Sequence, residues 1–161
     1  MITKDYKKAS NLIHITLDQI YNDLGSVKPI IDKNLINIVD TESPLTLNTL
    51  KARFREIFDV AKISSKALDI IMDRVNALGI IYEEELYDFV IWPKTGKFDV
   101  NYLRINSDRL IYDIPPVELK NLRDSINKRG EELYREMLKY FNLEVLTEKA
   151  RNYLEFIESK R

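Results

Sequence analysis

The chain has 161 residues but no cysteine and a single histidine, His14. Disulfides, thiolate metal sites and cysteine nucleophiles are therefore excluded, and so is a metal site built from several histidines. The four glycines, Gly25, Gly79, Gly96 and Gly130, are isolated, and no Gly-Lys-Ser/Thr sequence provides the phosphate-binding loop of an ATPase. These absences predict a protein that is not an enzyme and has neither a cofactor nor a bound metal.

Long apolar runs are also missing. No stretch approaches the ~20 apolar residues that cross a bilayer, and the charged N-terminus does not resemble a secretory signal. The sequence therefore predicts a cytoplasmic protein with no membrane contact.

Neither sign of charge is in excess, since the net charge is −1. Residues 28–92 contain 8 basic and 11 acidic side chains, whereas residues 93–161 contain 14 basic and 12 acidic ones. Nucleic-acid binding depends on basic side chains that neutralise phosphates, so any such surface is expected in the second half.

The apolar periodicity predicts a mainly helical fold with a small β-hairpin. Residues 1–27 form an N-terminal helical leader, in which Ile13, Leu17, Ile20 and Leu24 share one helix face and Gly25 ends the helix. The β-branched residues at 12–16 leave a strand open as an alternative.

Residues 28–93 are predicted to form a winged helix-turn-helix unit. Thr46 and Ser64 are suitable N-caps for its second and third helices, and Gly79 is suited to end the third. The period then changes from 3.6 to 2, which predicts an antiparallel hairpin over residues 80–92 with its turn at residues 83–85.

Residues 94–114 are expected to be an irregular connector with basic and aromatic side chains. Residues 115–161 are expected to be a second, helix-turn-helix-like unit of three helices. Its last two helices align with those of the first unit at a constant offset of 83 residues, which pairs Phe58 with Phe141 and Ser64 with Thr147. The alignment predicts an internal repeat, although any two amphipathic helices joined by a short turn can be aligned in this way.

Several short motifs are distinctive in combination: residues 38–45, the helix with Leu50, Arg53 and Glu56, the strand end at residues 90–93, Arg104, and residues 114–119. With these motifs the chain resembles the winged-helix domain of unknown function near the C-terminal end of large superfamily-1 helicase-like proteins. Many of those proteins also contain an endonuclease domain of the very-short-patch-repair type. The resemblance covers roughly residues 30–158 and implies an accessory role facing nucleic acid or protein, because the helicase and nuclease motifs themselves are missing.

The candidate nucleic-acid-binding residues all lie in the second half of the chain. They comprise four basic residues of the connector, which is interleaved with aromatic side chains that could stack on bases, and three residues of the last helix. They are Lys94, Lys97, Arg104, Arg109, Lys149, Arg151 and Asn152.

The other polar clusters favour a structural interpretation. The carboxylates of residues 83–85 and Asp88 could hold a divalent cation, but a solvated turn explains them better. The presumed recognition helix of the first unit exposes Asp69 and Asp73, which would repel phosphate.

The sequence therefore predicts a non-catalytic accessory module that binds nucleic acid weakly and in a salt-sensitive manner. The alternative is a protein-interaction or dimerisation module that does not contact nucleic acid, with partners such as other subunits of a helicase-like assembly or a second copy of the chain.

Overall fold

A computed structural model describes all residues 1–161. The fold is mainly helical, as predicted, and it contains two small sheets. The helices are α1 (Leu17–Asn22), α2 (Leu24–Glu42), α3 (Leu47–Phe58), α4 (Ser65–Ala77), α5 (Pro116–Asp124), α6 (Gly130–Lys139) and α7 (Glu148–Ser159), with a 3₁₀ turn at Ile111–Asp113. The strands are β1 (Ile2–Asp5), β2 (Leu45–Thr46), β3 (Ile81–Glu84), β4 (Phe89–Trp92) and β5 (Tyr102–Ile105).

The chain divides into two compact units, and neither is a single continuous segment. The N-terminal unit comprises Lys7–Glu83 and Phe89–Lys97. The C-terminal unit comprises Met1–Tyr6, Glu84–Asp88 and Phe98–Arg161. Each has its own apolar core.

The core of the N-terminal unit is formed by α2, α3 and α4. Phe54 of α3 and Ile71 of α4 are fully buried. The predicted caps are confirmed: the side chains of Thr46 and Ser64 accept hydrogen bonds from backbone N–H groups in the first turns of α3 and α4. Gly79 follows α4 with φ +72°, a left-handed conformation that favours glycine.

The predicted hairpin is present, but its turn is displaced. The strands are β3 and β4, so the connection is formed by residues 85–88 rather than 83–85. The loop is closed by Glu85 N–H, which donates to the Asp88 carbonyl at 2.7 Å. The sheet order is β2-β4-β3, with β2 antiparallel to β4, so β3 is an edge strand.

The leader differs from the prediction. Only Leu17–Asn22 of it forms a separate helix, and Gly25 lies in the first turn of α2 instead of ending a helix. Residues around Ile13 are held outside a helix by the buried Asn34, whose side chain accepts from Ile13 N–H at 2.8 Å and donates to Ile13 C=O at 2.9 Å. These tertiary hydrogen bonds override the local helical periodicity.

The C-terminal unit begins with a strand pair that joins distant parts of the chain. β1 pairs parallel with β5, in a register that places Ile2 opposite Tyr102. The predicted irregular connector therefore contains a strand, which is a correction. The Asn121 side chain of α5 donates to the carbonyls of Val100 and Tyr102, at 2.8 and 3.0 Å, so α5 provides hydrogen bonds for β5 where no further strand pairs.

The remaining helices of the C-terminal unit form as predicted, with α6 and α7 joined by a short turn. Two local features recur at the 83-residue offset. Asp59 and Asn142 both adopt left-handed backbone conformations, at φ 54° and 55°. Ser64 and Thr147 both cap the following helix by accepting from the backbone N–H three residues later, at 3.1 and 3.2 Å.

Candidate interaction surfaces

One cluster of three charged side chains in the C-terminal unit is buried. The Glu118 side chain is fully buried in α5 and accepts hydrogen bonds from Arg104 Nη2 at 2.8 Å and from Arg109 Nη1 at 2.9 Å. It also accepts from the backbone N–H of Arg104 at 2.9 Å. Both guanidinium groups lie within 5 Å of the Tyr6 ring centroid, at 4.9 and 4.4 Å, as in cation–π contacts.

The electrostatics of this cluster favour the ionised pair. Burial alone would raise the pKa of the Glu118 carboxyl, but hydrogen bonds from Arg104 and the charges of Arg109 and Arg104 outweigh it and lower that pKa. The pKa of Arg104 is raised: burial alone would lower it, but the hydrogen bond and charge of Glu118 outweigh burial. Glu118 and Arg104 therefore stay charged at neutral pH.

This arrangement corrects the expectation for Arg104 and Arg109. Their side chains are 8% and 4% exposed, and both are ion-paired to the single carboxylate of Glu118. A phosphate could reach neither without dismantling the cluster. The family resemblance included Arg104 and residues 114–119, and the structure brings Arg104 and Glu118 together as a buried ion pair.

The other two connector cations lie at the surface. Lys97 forms an ion pair with Glu83 of β3 at 2.9 Å and lies 5.7 Å from the Trp92 ring centroid. Lys94 is exposed at the rim of a groove. The connector therefore presents one paired and one exposed lysine instead of a basic surface of four residues.

The candidates on α7 are also engaged by neighbouring groups. Lys149 Nζ lies 4.0 Å from the Tyr112 ring centroid and 5.4 Å from that of Tyr87. Arg151 forms an ion pair with Glu131 of α6 at 3.6 Å. Asn152 is exposed, so it is the candidate of α7 that projects freely into solvent.

The remaining polar clusters lie on α4 and in the loop between β3 and β4. Asp69 and Asp73 are exposed on α4, as expected. Glu85 is partly buried and forms an ion pair with Lys160 at 3.6 Å. No group of three or more His, Asp or Glu side chains is arranged to hold a metal ion.

The N-terminal unit contains a groove that sequence reasoning missed. Its cavity volume is about 80 Å³, and it lies where α2, the end of α4 and the start of β3 meet. Its apolar walls include Ile36, which is 43% exposed at the mouth, and the buried Ile80. The full lining consists of Ile36, Val39, Asp40, Leu78, Ile80 and Lys94.

Two charges of opposite sign lie at the rim of this groove. Asp40 and Lys94 are both exposed, and neither has an ion pair within 4.0 Å. The next residue after Ile80, Ile81 of the edge strand β3, is 39% exposed. One wall of the groove, Ile80, therefore directly precedes the edge strand β3 in the chain.

A signal for this groove was present in the sequence. The buried face of α2 is formed by apolar residues such as Ile31, Leu35 and Val39. Ile36 does not belong to this face, because its position does not fit the helical spacing of those buried residues. A β-branched apolar residue on the solvent side of an amphipathic helix can indicate a binding surface.

No protein-family model, curated protein or solved structure matches the chain. No helix combines the length and the apolar composition required to cross a membrane. Function is therefore inferred from the residues described above.

Proposed function

We propose that the chain is a non-catalytic protein-binding module, accessory to a helicase-related system, whose contact surface is the groove of the N-terminal unit. The observation that carries the proposal is the groove itself, in which the partly exposed Ile36 is set above buried aliphatic walls. Concave apolar sites with a few polar groups at the edge are typical binding sites. The helicase association comes from the family resemblance alone.

Several of the predicted nucleic-acid-binding cations are buried or paired within the fold, which supports a protein partner over nucleic acid. Arg104 and Arg109 are buried around the one carboxylate of Glu118, and Arg151 is paired with Glu131. Phosphate binding depends on cations that can replace the counterions of the nucleic acid. Cations already compensated within the fold contribute little to that exchange.

We further propose that the N-terminal unit is a winged helix-turn-helix. Its elements occur in the order α2-β2-α3-α4-β3-β4, with α3 and α4 joined by a short turn and β3 and β4 forming the wing. The pairing of β2 with β4 supports this interpretation, because it connects the start of α3 to the hairpin.

The second helix-turn-helix, α6-turn-α7, is proposed to be a repeat of α3-turn-α4. Matched left-handed residues and matched caps at one constant offset support it, as do the buried pairs Leu50 with Leu133 and Ile71 with Leu154. Phe141 is only partly buried whereas Phe58 is 4% exposed, so the two turns do not pack identically.

Nucleic-acid binding remains the second candidate, favoured by the element order because winged helices commonly bind DNA through the helix that α4 would represent. The exposed lysines Lys62, Lys66 and Lys94 are the cations of the N-terminal unit best suited to it. Asp69 and Asp73 on the same helix oppose it.

Two measurements test the proposal. In fluorescence anisotropy with single-stranded and duplex DNA at about 50 mM salt, we expect no saturable binding at tens of micromolar protein. Saturable binding that weakens steeply with salt would establish the second candidate instead.

The second measurement is photo-crosslinking in the cells that make the protein, with a photoreactive amino acid at position 36. We expect a discrete protein adduct that is missing when the same group replaces Ile13, which is 36% exposed in the same unit but outside the groove. A nucleic-acid adduct, or the same adducts from both positions, would contradict a protein-binding groove.

A further inference from the structure

We propose that the groove binds its partner as an extended peptide that adds a strand to the open edge of β3 and inserts one aliphatic side chain beside Ile36. This inference rests on the proposed function, since it names the partner's conformation and chemistry at the same site. It goes further because it predicts main-chain pairing and a side-chain pattern.

The open edge of the sheet supports the addition of a strand. In the order β2-β4-β3, one side of β3 is paired with β4 and the other side has no neighbouring strand. An edge strand presents unpaired N–H and C=O groups that can accept another strand. Strand addition to such an edge is a common mode of peptide recognition, in which main-chain bonds give affinity and pockets give specificity.

The groove supports the insertion of a side chain, because one of its residues directly precedes β3 in the chain. Ile80 lines the groove and immediately precedes Ile81, the first residue of β3. The volume of about 80 Å³ is roughly half the ~150 Å³ of a cavity that takes a benzene ring. An aliphatic side chain such as valine, isoleucine or leucine therefore fits better than an aromatic one.

The rim charges define the residues on either side of that anchor. Side chains at positions i−2 and i+2 of a strand lie on the same face as position i, about 7 Å away along the strand. Opposite charges at these two positions would complement Asp40 and Lys94, which both line the groove. The pattern is basic-x-aliphatic-x-acidic, or its reverse according to the direction of the added strand.

The probe is a phage-displayed library of random twelve-residue peptides, selected on the full chain after depletion on the Ile36→Glu variant. We expect enriched peptides to share the predicted pattern. Labelled synthetic copies should lose affinity by about 30-fold or more on Ile36→Glu, as expected for loss of a central anchor contact. They should bind the Ile13→Glu variant as they bind wild type.

The mode of binding is tested by N-methylating alternate residues of the same peptides. Methylation of the edge-facing N–H groups should weaken binding by about tenfold or more, because it removes main-chain hydrogen bonds; methylation of the other set should have a smaller effect. Peptides that need Ile36 but tolerate both methylated sets would overturn strand addition and leave the protein-binding function intact. If no peptide distinguishes wild type from Ile36→Glu, the groove is not the site and both proposals fail.

Discussion

Replacement of Glu118 by glutamine tests whether the buried cluster is a strongly coupled charge network. The variant keeps the shape of the side chain but removes the negative charge that Arg104 and Arg109 share. Two guanidinium groups would then be buried without a counter-charge. Removal of one partner from a buried ion pair costs about 3–5 kcal/mol.

The distribution of aromatic residues allows this effect to be assigned to one unit. The only tryptophan, Trp92, lies in the N-terminal unit, whereas seven of the nine tyrosines lie in the C-terminal unit. Unfolding in urea should therefore be followed by tryptophan fluorescence and, separately, by near-ultraviolet circular dichroism of the tyrosines. We expect Glu118→Gln to shift mainly the tyrosine signal.

The pH dependence provides an independent check. The folded-state pKa of Glu118 is lowered, so its contribution to stability is complete above the unfolded-state value of about 4.3 and is lost as pH falls through the folded pKa. The difference between wild type and Glu118→Gln should accordingly shrink as pH falls below about 4.

The matched control is Glu131→Gln, because Glu131 is 49% exposed and pairs with Arg135 on the surface. Exposed pairs contribute only about 0–1 kcal/mol. If Glu118→Gln costs no more than this control, or if its cost is the same at pH 7 and pH 3, the reasoning about the buried network is refuted.

Three further predictions concern the helix-turn-helix turns and the second buried ion pair. Valine at Asp59 or at Asn142 should cost about 1–2 kcal/mol at each site, because both backbones are left-handed; a cost at only one site, in urea unfolding, would argue against matched turns. Alanine at Ser64 or at Thr147 should cost about 1 kcal/mol by removing an N-cap, seen in the tryptophan and tyrosine signals respectively. Glu42→Gln should cost about 3–5 kcal/mol in the tryptophan signal, since Glu42 is fully buried in an ion pair with Arg53; an unchanged urea midpoint would count against it.

Local signals predicted the parts of the fold that are governed locally. Thr46 and Ser64 precede amphipathic series and have side chains that cap, and Gly79 follows one in a left-handed conformation. Each of these residues acts within four positions of its own place in the chain. The helices, and the change of apolar periodicity from 3.6 to 2 at the hairpin, were predictable for the same reason.

The errors arose where a distant residue decides the outcome. Asn34 holds the backbone at Ile13 from 21 positions away. Glu118 binds Arg104 from 14 positions away and Arg109 from nine, so a connector rich in cations was predicted to be a basic surface. In sequence, a cation that is paired with a carboxylate looks the same as one that is exposed.

The pairing of β1 with β5 has a consequence for the order of folding during synthesis. Ile2 and Tyr102 are neighbours in the sheet, yet about 100 residues separate them in the chain. At the usual ~5–20 residues per second, the ribosome needs roughly 5–20 seconds to make the partner of β1. The first strand therefore waits unpaired for that time.

The N-terminal unit does not have to wait in the same way. All of its residues, Lys7–Glu83 and Phe89–Lys97, are made before β5. It can complete its core on the nascent chain before the C-terminal unit, to which β1 and the loop at Glu84–Asp88 belong, has been fully synthesised. The C-terminal unit can thus be completed only after β5 is made, from segments that precede, interrupt and follow the N-terminal unit in the chain.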